Sequence, residues 1–387
     1  MTRALQLLLA AAAAAPLGAA GVAVVVDADA SRGFGVWQGF GVSLAWAGNV
    51  FGGRADLADA LWTRNASVDL GGGVVVPALG LQLARYNAGA SSRASDPPVL
   101  VPGYAQPVSM AMSASMPRWK AIESFWLYPN STNPASGAWD WNRDASQRAA
   151  LAAALARGAS AQLFSNSPPW FLTANLNPSG AAHGADDNIL APCYASHATY
   201  MATVAAQFKA RFGVTFEAVE PFNEPTGTWW QATGTQEGCH VAPAAQAAIL
   251  PSLRAALDAR GLAGVPIAAS DESLIDQAIL TWQALPAAAR AAFPMLQVHG
   301  YEGASGNRSG LYELAAVQGG KTIRNSEHGE GDGSGASLAS QVGLDFGELH
   351  VRAWCYWQAL DIPGWGLLSA DSKCRRPSPA PHNFAPP

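Results

Sequence analysis

The chain carries little charge: Asp, Glu, Lys and Arg make up 13% of its 387 residues, while 49% are hydrophobic, which is not the composition of a disordered segment. Its net charge is −5, and no cluster of Lys or Arg occurs beyond Arg375-Arg376, so the basic footprint of a nucleic-acid binder is missing. Cysteine is scarce. The four (Cys193, Cys239, Cys355 and Cys374) stand at spacings that match no zinc site. No Gly-rich phosphate loop follows any apolar run, and no segment repeats. Low complexity is confined to an Ala-rich leader and a Pro-rich tail.

Glycine (39), proline (26) and tryptophan (14) are plentiful. Abundant Trp among few charges suits a protein that offers flat apolar faces to sugars, although the same residues can equally fill a core. The first residues, Met1-Thr2-Arg3 and then Ala4–Ala20, read as a secretory signal peptide over 1–20. An uncleaved membrane anchor is the alternative, because Ala4–Val26 is apolar apart from Gln6. Three glycosylation sequons, at Asn65, Asn130 and Asn307, agree with secretion. In an oxidising compartment Cys193 and Cys239, both in loop-like stretches, are candidates to pair, whereas Cys355 lies in a strand-like run and reads as a buried thiol.

Apolar runs of strand length alternate with Ala-rich helical segments. The strand candidates are Val36–Leu44, Leu81–Asn87, Ala161–Asn166, Phe216–Pro221, Ile267–Ser270, Leu296–Tyr301, Thr322–Ser326 and Arg352–Gln358. Helices are expected at Leu57–Arg64, Asn142–Arg157, His197–Arg211, Pro243–Arg260, Leu274–Ala292, Ser309–Val317 and Ser334–His350. The last should be capped by Ser334 and bury Leu338, Val342, Phe346 and Leu349. This alternation predicts an α/β fold, a parallel (β/α)8 TIM barrel over residues 21–370 with a Pro-rich tail at 371–387.

Barrels of this kind place chemistry at the C-terminal ends of their strands. Six strand ends here are polar or aromatic: Arg85-Tyr-Asn87, Ser165-Asn-Ser-Pro-Pro-Trp170, Asn223-Glu224, His299-Gly-Tyr301, Ser326-Glu-His328 and Trp357-Gln358. Glu224 and Glu327 end separate strands, and a pair of converging carboxylates is what glycosidic bond cleavage requires. That reading stands only if their oxygens approach across the rim of one closed cylinder, well within about 10 Å. Surface carboxylates at strand ends are the bland alternative. Glu220 is a nearby acid that reads better as a charge partner for Arg85.

Seven ordered segments carry a resemblance: Gly39-Phe-Gly-Val-Ser-Leu-Ala-Trp-Ala47, Leu83-Ala-Arg-Tyr-Asn87, Phe164-Ser-Asn-Ser-Pro-Pro-Trp-Phe171, Glu220-Pro-Phe-Asn-Glu-Pro225, Val298-His-Gly-Tyr301, Ser326-Glu-His-Gly329 and Tyr356-Trp-Gln-Ala-Leu360. In these the chain resembles glycoside hydrolase family 30, in its endo-β-1,6-galactanase-like branch. The resemblance implies a retaining glycosidase with Glu224 as acid/base and Glu327 as nucleophile. It implies that Asn223 meets the sugar 2-hydroxyl and that Tyr301 orients the nucleophile, with His299 on the same wall. Arg85 would keep Glu327 ionised by opposite charge, and Trp46, Trp170, Trp229 and Trp357 are candidates to stack on sugar rings. No metal and no organic cofactor is expected. The expected partner is a polysaccharide, first β-1,6-galactan, with β-1,6-glucan, xylan, a glucosylated lipid or a catalytically silent carbohydrate-binding barrel as alternatives. No nucleic acid is expected, nor a membrane unless the leader stays as an anchor, and the sequence leaves the oligomeric state open. The family's accessory β-sandwich is expected to be largely missing at the C-terminus, although Val22–Asp27 reads as its N-terminal strand.

Overall fold

The computed structural model describes residues 34–361 and 365–369, so the leader, the Val22–Asp27 run, Cys374 and the 371–387 tail lie outside the described residues. Among the described residues, eight parallel strands form the barrel: β1 Gly39–Ser43, β2 Leu83–Asn87, β3 Ser160–Phe164, β4 Val219–Glu220, β5 Ala268–Glu272, β6 Met295–Val298, β7 Thr322–Asn325 and β8 Ala353–Gln358. Each strand pairs with its neighbours in chain order. The barrel closes where β8 runs beside β1, Gly39 facing Ala353, and where a single parallel bridge, Val219 to Ile267, joins β4 to β5. The expected (β/α)8 architecture is the one observed.

Seven connections carry helices: α1 Ala55–Trp62, α2 Ala145–Leu155, α3 Tyr194–Phe212, α4 Pro243–Asp258, α5 Ile275–Ala284, α6 Arg308–Tyr312 and α7 Ala336–Leu344. Apolar periodicity explains how they seat. On α3, Met201, Val204 and Phe208 recur at helical spacing and are buried, and on α4 Ile249, Leu250, Leu253 and Leu257 do the same. Burying each such side chain contributes about 1.5–3 kcal/mol. Gly213 ends α3 in the left-handed conformation (φ 69°), which costs glycine nothing.

Three local expectations are corrected. The segment expected as one helix over Leu274–Ala292 breaks at Leu285-Pro286 into α5 and a short turn, Ala287–Ala291, because Pro286 has no N–H to continue the ladder. The residue preceding α7 is Gly335 (φ 74°) rather than Ser334, whose hydroxyl instead bonds Asp332 and the Ala336 N–H. α7 continues as a wider π turn over Asp345–Leu349, and its buried line is Gln341, Asp345 and Leu349, with Phe346 left 38% exposed. The cause is polar: Asp345 accepts from Arg308 Nε (2.7 Å), Asn325 Nδ2 (2.8 Å) and Trp354 Nε1 (2.9 Å).

The long connection from β2 to α2 holds a column of tryptophans. Trp126 and Trp139 stack at 5.2 Å and 3°, and Trp139 and Trp141 at 5.4 Å and 9°. Cys193 and Cys239 are free thiols, so their expected pairing is not present; Cys239 is buried and its Sγ lies 3.3 Å from the His240 carbonyl. Cys355 is the buried thiol its strand position predicts. No helix among the described residues is long and apolar enough to cross a membrane.

Candidate active site

At the C-terminal rim, one guanidinium organises four strand ends. Arg85, fully buried on β2, bonds Glu327 Oε2 at 2.6 Å, Asn223 Oδ1 at 3.1 Å, Glu220 Oε2 at 3.4 Å and Asp271 Oδ2. Its aliphatic and aromatic surroundings include Phe164, whose ring centre lies 3.6 Å from the Arg85 Cζ. A buried cation ringed by carboxylates keeps its charge. Although burial works against it, the Asp271, Glu220 and Glu327 charges raise the hold of Arg85 on its proton above the ordinary value.

Two carboxylates face the opening. Glu327 follows β7, and its Oε1 accepts the Tyr301 hydroxyl at 3.1 Å. Burial pushes the Glu327 carboxyl above its usual range, and the His299 and Arg85 charges pull it back. Glu224 follows β4 in a left-handed backbone conformation (φ 47°), rare for a residue with a side chain and costing about 1–3 kcal/mol. Its neighbours hold it there: its N–H donates to the Asp271 carbonyl (2.8 Å), and its carbonyl accepts from Gly227 N (2.9 Å) and Trp230 Nε1 (2.8 Å). The Glu224 carboxylate meets His299 Nδ1 at 3.2 Å through Oε1 and Trp229 Nε1 at 3.1 Å through Oε2.

His299 is the second cation of the cluster. Burial lowers its affinity for a proton, but Glu327 and Asp271, with hydrogen bonds to Asp271 and Glu224, carry it well above the ordinary imidazole range. Its Nδ1 lies 3.7 Å from Glu327, and its Nε2 lies 3.3 Å from Asp271. One oxygen each of Glu224 and Glu327 and one His299 nitrogen all fall within 4.8 Å of one another. A divalent cation could span that distance only by displacing the proton that the surrounding acids favour on His299. The arrangement is built to hold protons and negative charge.

The cleft above, about 530 Å³, is lined by Glu224, Glu327, Tyr301, Ser273, Gln236 and the indoles of Trp229, Trp230, Trp357 and Trp365. Of the side chains singled out in the sequence, Arg85, Asn223, Glu224, His299, Tyr301, Glu327, Trp229 and Trp357 meet in or directly beneath this cleft. Two do not line it. Trp46 is 3% exposed and packs edge-on against Trp357 (5.0 Å) and Trp119 (5.9 Å), where it supports the wall from behind. Trp170 is also 3% exposed; it sits in the turn Trp170–Leu172 and borders a separate hollow with Arg93, Arg118 and Trp126. The Trp46 ring is further capped by the Lys120 ammonium at 3.8 Å, and Trp170 packs edge-on against Phe171 at 5.6 Å.

Asp271 is the functional-site residue that the sequence reading misses. It is fully buried, bonds Arg85 and the Ser326 hydroxyl, and supplies the carbonyl that fixes the Glu224 backbone. Burial raises its carboxyl, but Arg85 and His299 win and hold it at about 2. His328, one of the polar strand ends marked in the sequence without a role, backs the same wall. Its ring stacks on Tyr301 at 5.3 Å and 24°, and burial lowers it to about 4, so a neutral imidazole backs the Tyr301 phenol.

The sequence matches the model described as O-Glycosyl hydrolase family 30 over residues 23–278. It is 42% identical over 345 residues to an endo-beta-1,6-galactanase of Hypocrea rufa, covering 89% of this chain and 69% of that protein. Among solved structures it resembles a conserved exported protein from Bacteroides fragilis, with a TM-score of 0.66, 19% identity, and 88% of this chain and 73% of that one covered. It also resembles the catalytic domain of xylanase C from Talaromyces cellulolyticus, with a TM-score of 0.62, 17% identity, and coverages of 90% and 74%. At such identities these structures speak for the barrel fold alone.

Proposed function

The chain belongs to O-glycosyl hydrolase family 30, and from that premise we propose that it is a secreted endo-β-1,6-galactanase that hydrolyses with retention of anomeric configuration. It is a glycoside endo-hydrolase; the linkage, the stereochemistry and the location are what is proposed.

The observation that carries the mechanism is the approach of Glu224 and Glu327 oxygens to within 4.8 Å. Retaining enzymes hold their carboxyls about 5–5.5 Å apart, whereas inverting ones leave about 6.5–9.5 Å for a water. In the first step an ionised Glu327 oxygen attacks the anomeric carbon as the glycosidic C–O bond breaks, and Glu224 gives its proton to the departing oxygen. The product is a glycosyl ester on Glu327. Glu224, now a carboxylate, takes a proton from water, whose oxygen displaces Glu327 and restores the starting configuration. Arg85 and the Tyr301 hydroxyl orient the nucleophile from two sides. Asn223 accepts from Arg85 through Oδ1, which leaves Nδ2 to donate to a sugar 2-hydroxyl.

The galactan assignment is supported by the Hypocrea rufa relative, a named endo-beta-1,6-galactanase. Secretion is supported by the Ala-rich leader at 1–20 and by the exposure of Asn65, Asn130 and Asn307, the three sequon asparagines. Sequencing the N-terminus of the mature protein tests it.

The deciding experiment follows hydrolysis of β-1,6-galactan by NMR. The first-formed reducing end should be the β anomer, and Glu327→Gln should lower turnover roughly 10³-fold or more. An α anomer appearing first would reject the double displacement, and binding without turnover by the unaltered protein would favour the silent barrel.

A further inference from the structure

Trp229 and Trp230 are adjacent in sequence, yet both indole N–H groups end on the same residue. Buried Trp230 donates to the Glu224 backbone carbonyl, and Trp229 donates to the Glu224 side chain at Oε2. Trp229 is nevertheless 47% exposed, with its ring bordering the cleft. Its placement depends on the turn beneath it. Gly227 donates to the Glu224 carbonyl, and a Cβ on Gly227 would come within 2.5 Å of Trp229 Cζ2 and 2.6 Å of Cε2. A glycine there lets the ring lie against the turn with its N–H reaching Glu224. His299 Nδ1 contacts the other oxygen, so the two donors fix the plane of the Glu224 carboxyl.

We propose that Trp229 is a positioning residue for the leaving group: its N–H aligns Glu224 with the departing oxygen, and its exposed ring face supports the departing sugar. This rests on Glu224 being the acid. In a double displacement the departing sugar lies on the acid's side of the scissile bond, which is where Trp229 stands. A ring that touches both the sugar and the proton donor couples substrate seating to proton delivery. Small misplacements of a reacting group cost as much as about 10²-fold in rate.

Two substrates separate alignment from general damage: β-1,6-galactan, whose alcohol leaves only when protonated, and 2,4-dinitrophenyl β-1,6-galactobioside, whose phenolate leaves unaided. Trp229→Phe keeps the ring and removes the N–H. It should lower kcat on galactan roughly 10- to 100-fold with KM little changed, and leave kcat/KM on the dinitrophenyl substrate unchanged. Trp229→Ala and Gly227→Ala, which remove or displace the ring, should also raise KM for galactan. Equal losses by Trp229→Phe on both substrates, or no loss on either, would overturn the proposal. Glu224→Gln should show the same dependence on leaving group in stronger form. If it does while Trp229→Phe is indifferent, only the role of Trp229 falls; if Glu224→Gln still hydrolyses galactan at full rate, the acid assignment itself falls.

Discussion

Asp271, in the barrel mouth, and Asp144, at the start of α2, share nearly every local property. Both are buried (0% and 3% exposed), and both adopt left-handed backbone conformations (φ 67° and 51°). Their protonation is opposite. Burial raises both, but Arg85 and His299 hold Asp271 at about 2, whereas Asp144, opposed chiefly by the Tyr86 hydroxyl and the Gln147 amide, is pushed up to about 8. Glu237 and Glu272, buried among hydroxyls and amides like Asp144, are pushed up to about 7. Burial among hydroxyls and amides therefore raises Asp144, Glu237 and Glu272 toward the neutral form. At the rim Arg85 touches Glu220, Asp271 and Glu327, but it is Asp271, held by both Arg85 and His299, that stays below the ordinary range, while burial and the Asp271 charge carry Glu220 well above it and burial raises Glu327.

The strongest way to break this contrast is to remove the shared cation. Arg85→Met should leave Asp271, the buried acid it holds ionised, without its strongest partner, at a cost of about 3–5 kcal/mol in urea denaturation. Activity on galactan should fall with it, because Glu327 would lose both its alignment and the charge that opposes its burial. A variant that stays fully stable and active would show that the cluster does not depend on Arg85. A smaller and sharper effect separates the two aspartates. At pH 6 Asp271→Asn should cost about 1.5–3 kcal/mol, the range for hydrogen bonds to charged groups. Asp144→Asn replaces one neutral group with another of the same shape and should cost under about 1 kcal/mol. Equal costs at pH 6 would erase the distinction.

The barrel was legible because its strands are short apolar runs between helical periods, a pattern that survives without knowledge of contacts. Where a strand is only two residues long, as at Val219–Glu220, the apolar run Phe216–Pro221 overstates it, since Pro221 offers no N–H to the ladder. Polar strand ends marked Arg85, Asn223, Glu224, His299, Tyr301 and Glu327, which the fold gathers around the Arg85 guanidinium and the His299 ring. Asp271 obeys the same rule within Ser270-Asp-Glu272, but the apolar run stops at Ser270 and conceals that β5 extends through Glu272. Tryptophan was the poorest guide. The residue type records a large apolar face and not what covers it, so Trp46 and Trp170 are packed away while Trp365 borders the cleft. Trp126, Trp139 and Trp141 stack on one another because a long loop over a barrel needs a core of its own.

The finest test of the contrast lies in a difference of slopes, in how stability depends on pH. A carboxyl whose folded value sits above its unfolded one contributes stability while protonated and loses it as pH rises through the folded value. For Asp144 that loss runs from about the ordinary aspartate value of 3.8 up to about 8, and for Glu237 and Glu272 from 4.5 to about 7. The unaltered protein should therefore weaken as pH rises from 5 to 8. Each such group adds at most about 1.4 kcal/mol per pH unit. Subtracting the Asp144→Asn curve from that of the unaltered protein removes every other titrating group and leaves Asp144 alone. Glu237 and Glu272 titrate alike in both proteins and cancel in the difference, so between pH 7 and 8 the two urea-midpoint curves should differ in slope, with the variant the flatter. Parallel curves over that interval would mean that Asp144 is already ionised, and that burial without a cation is not enough to keep an acid neutral in this fold.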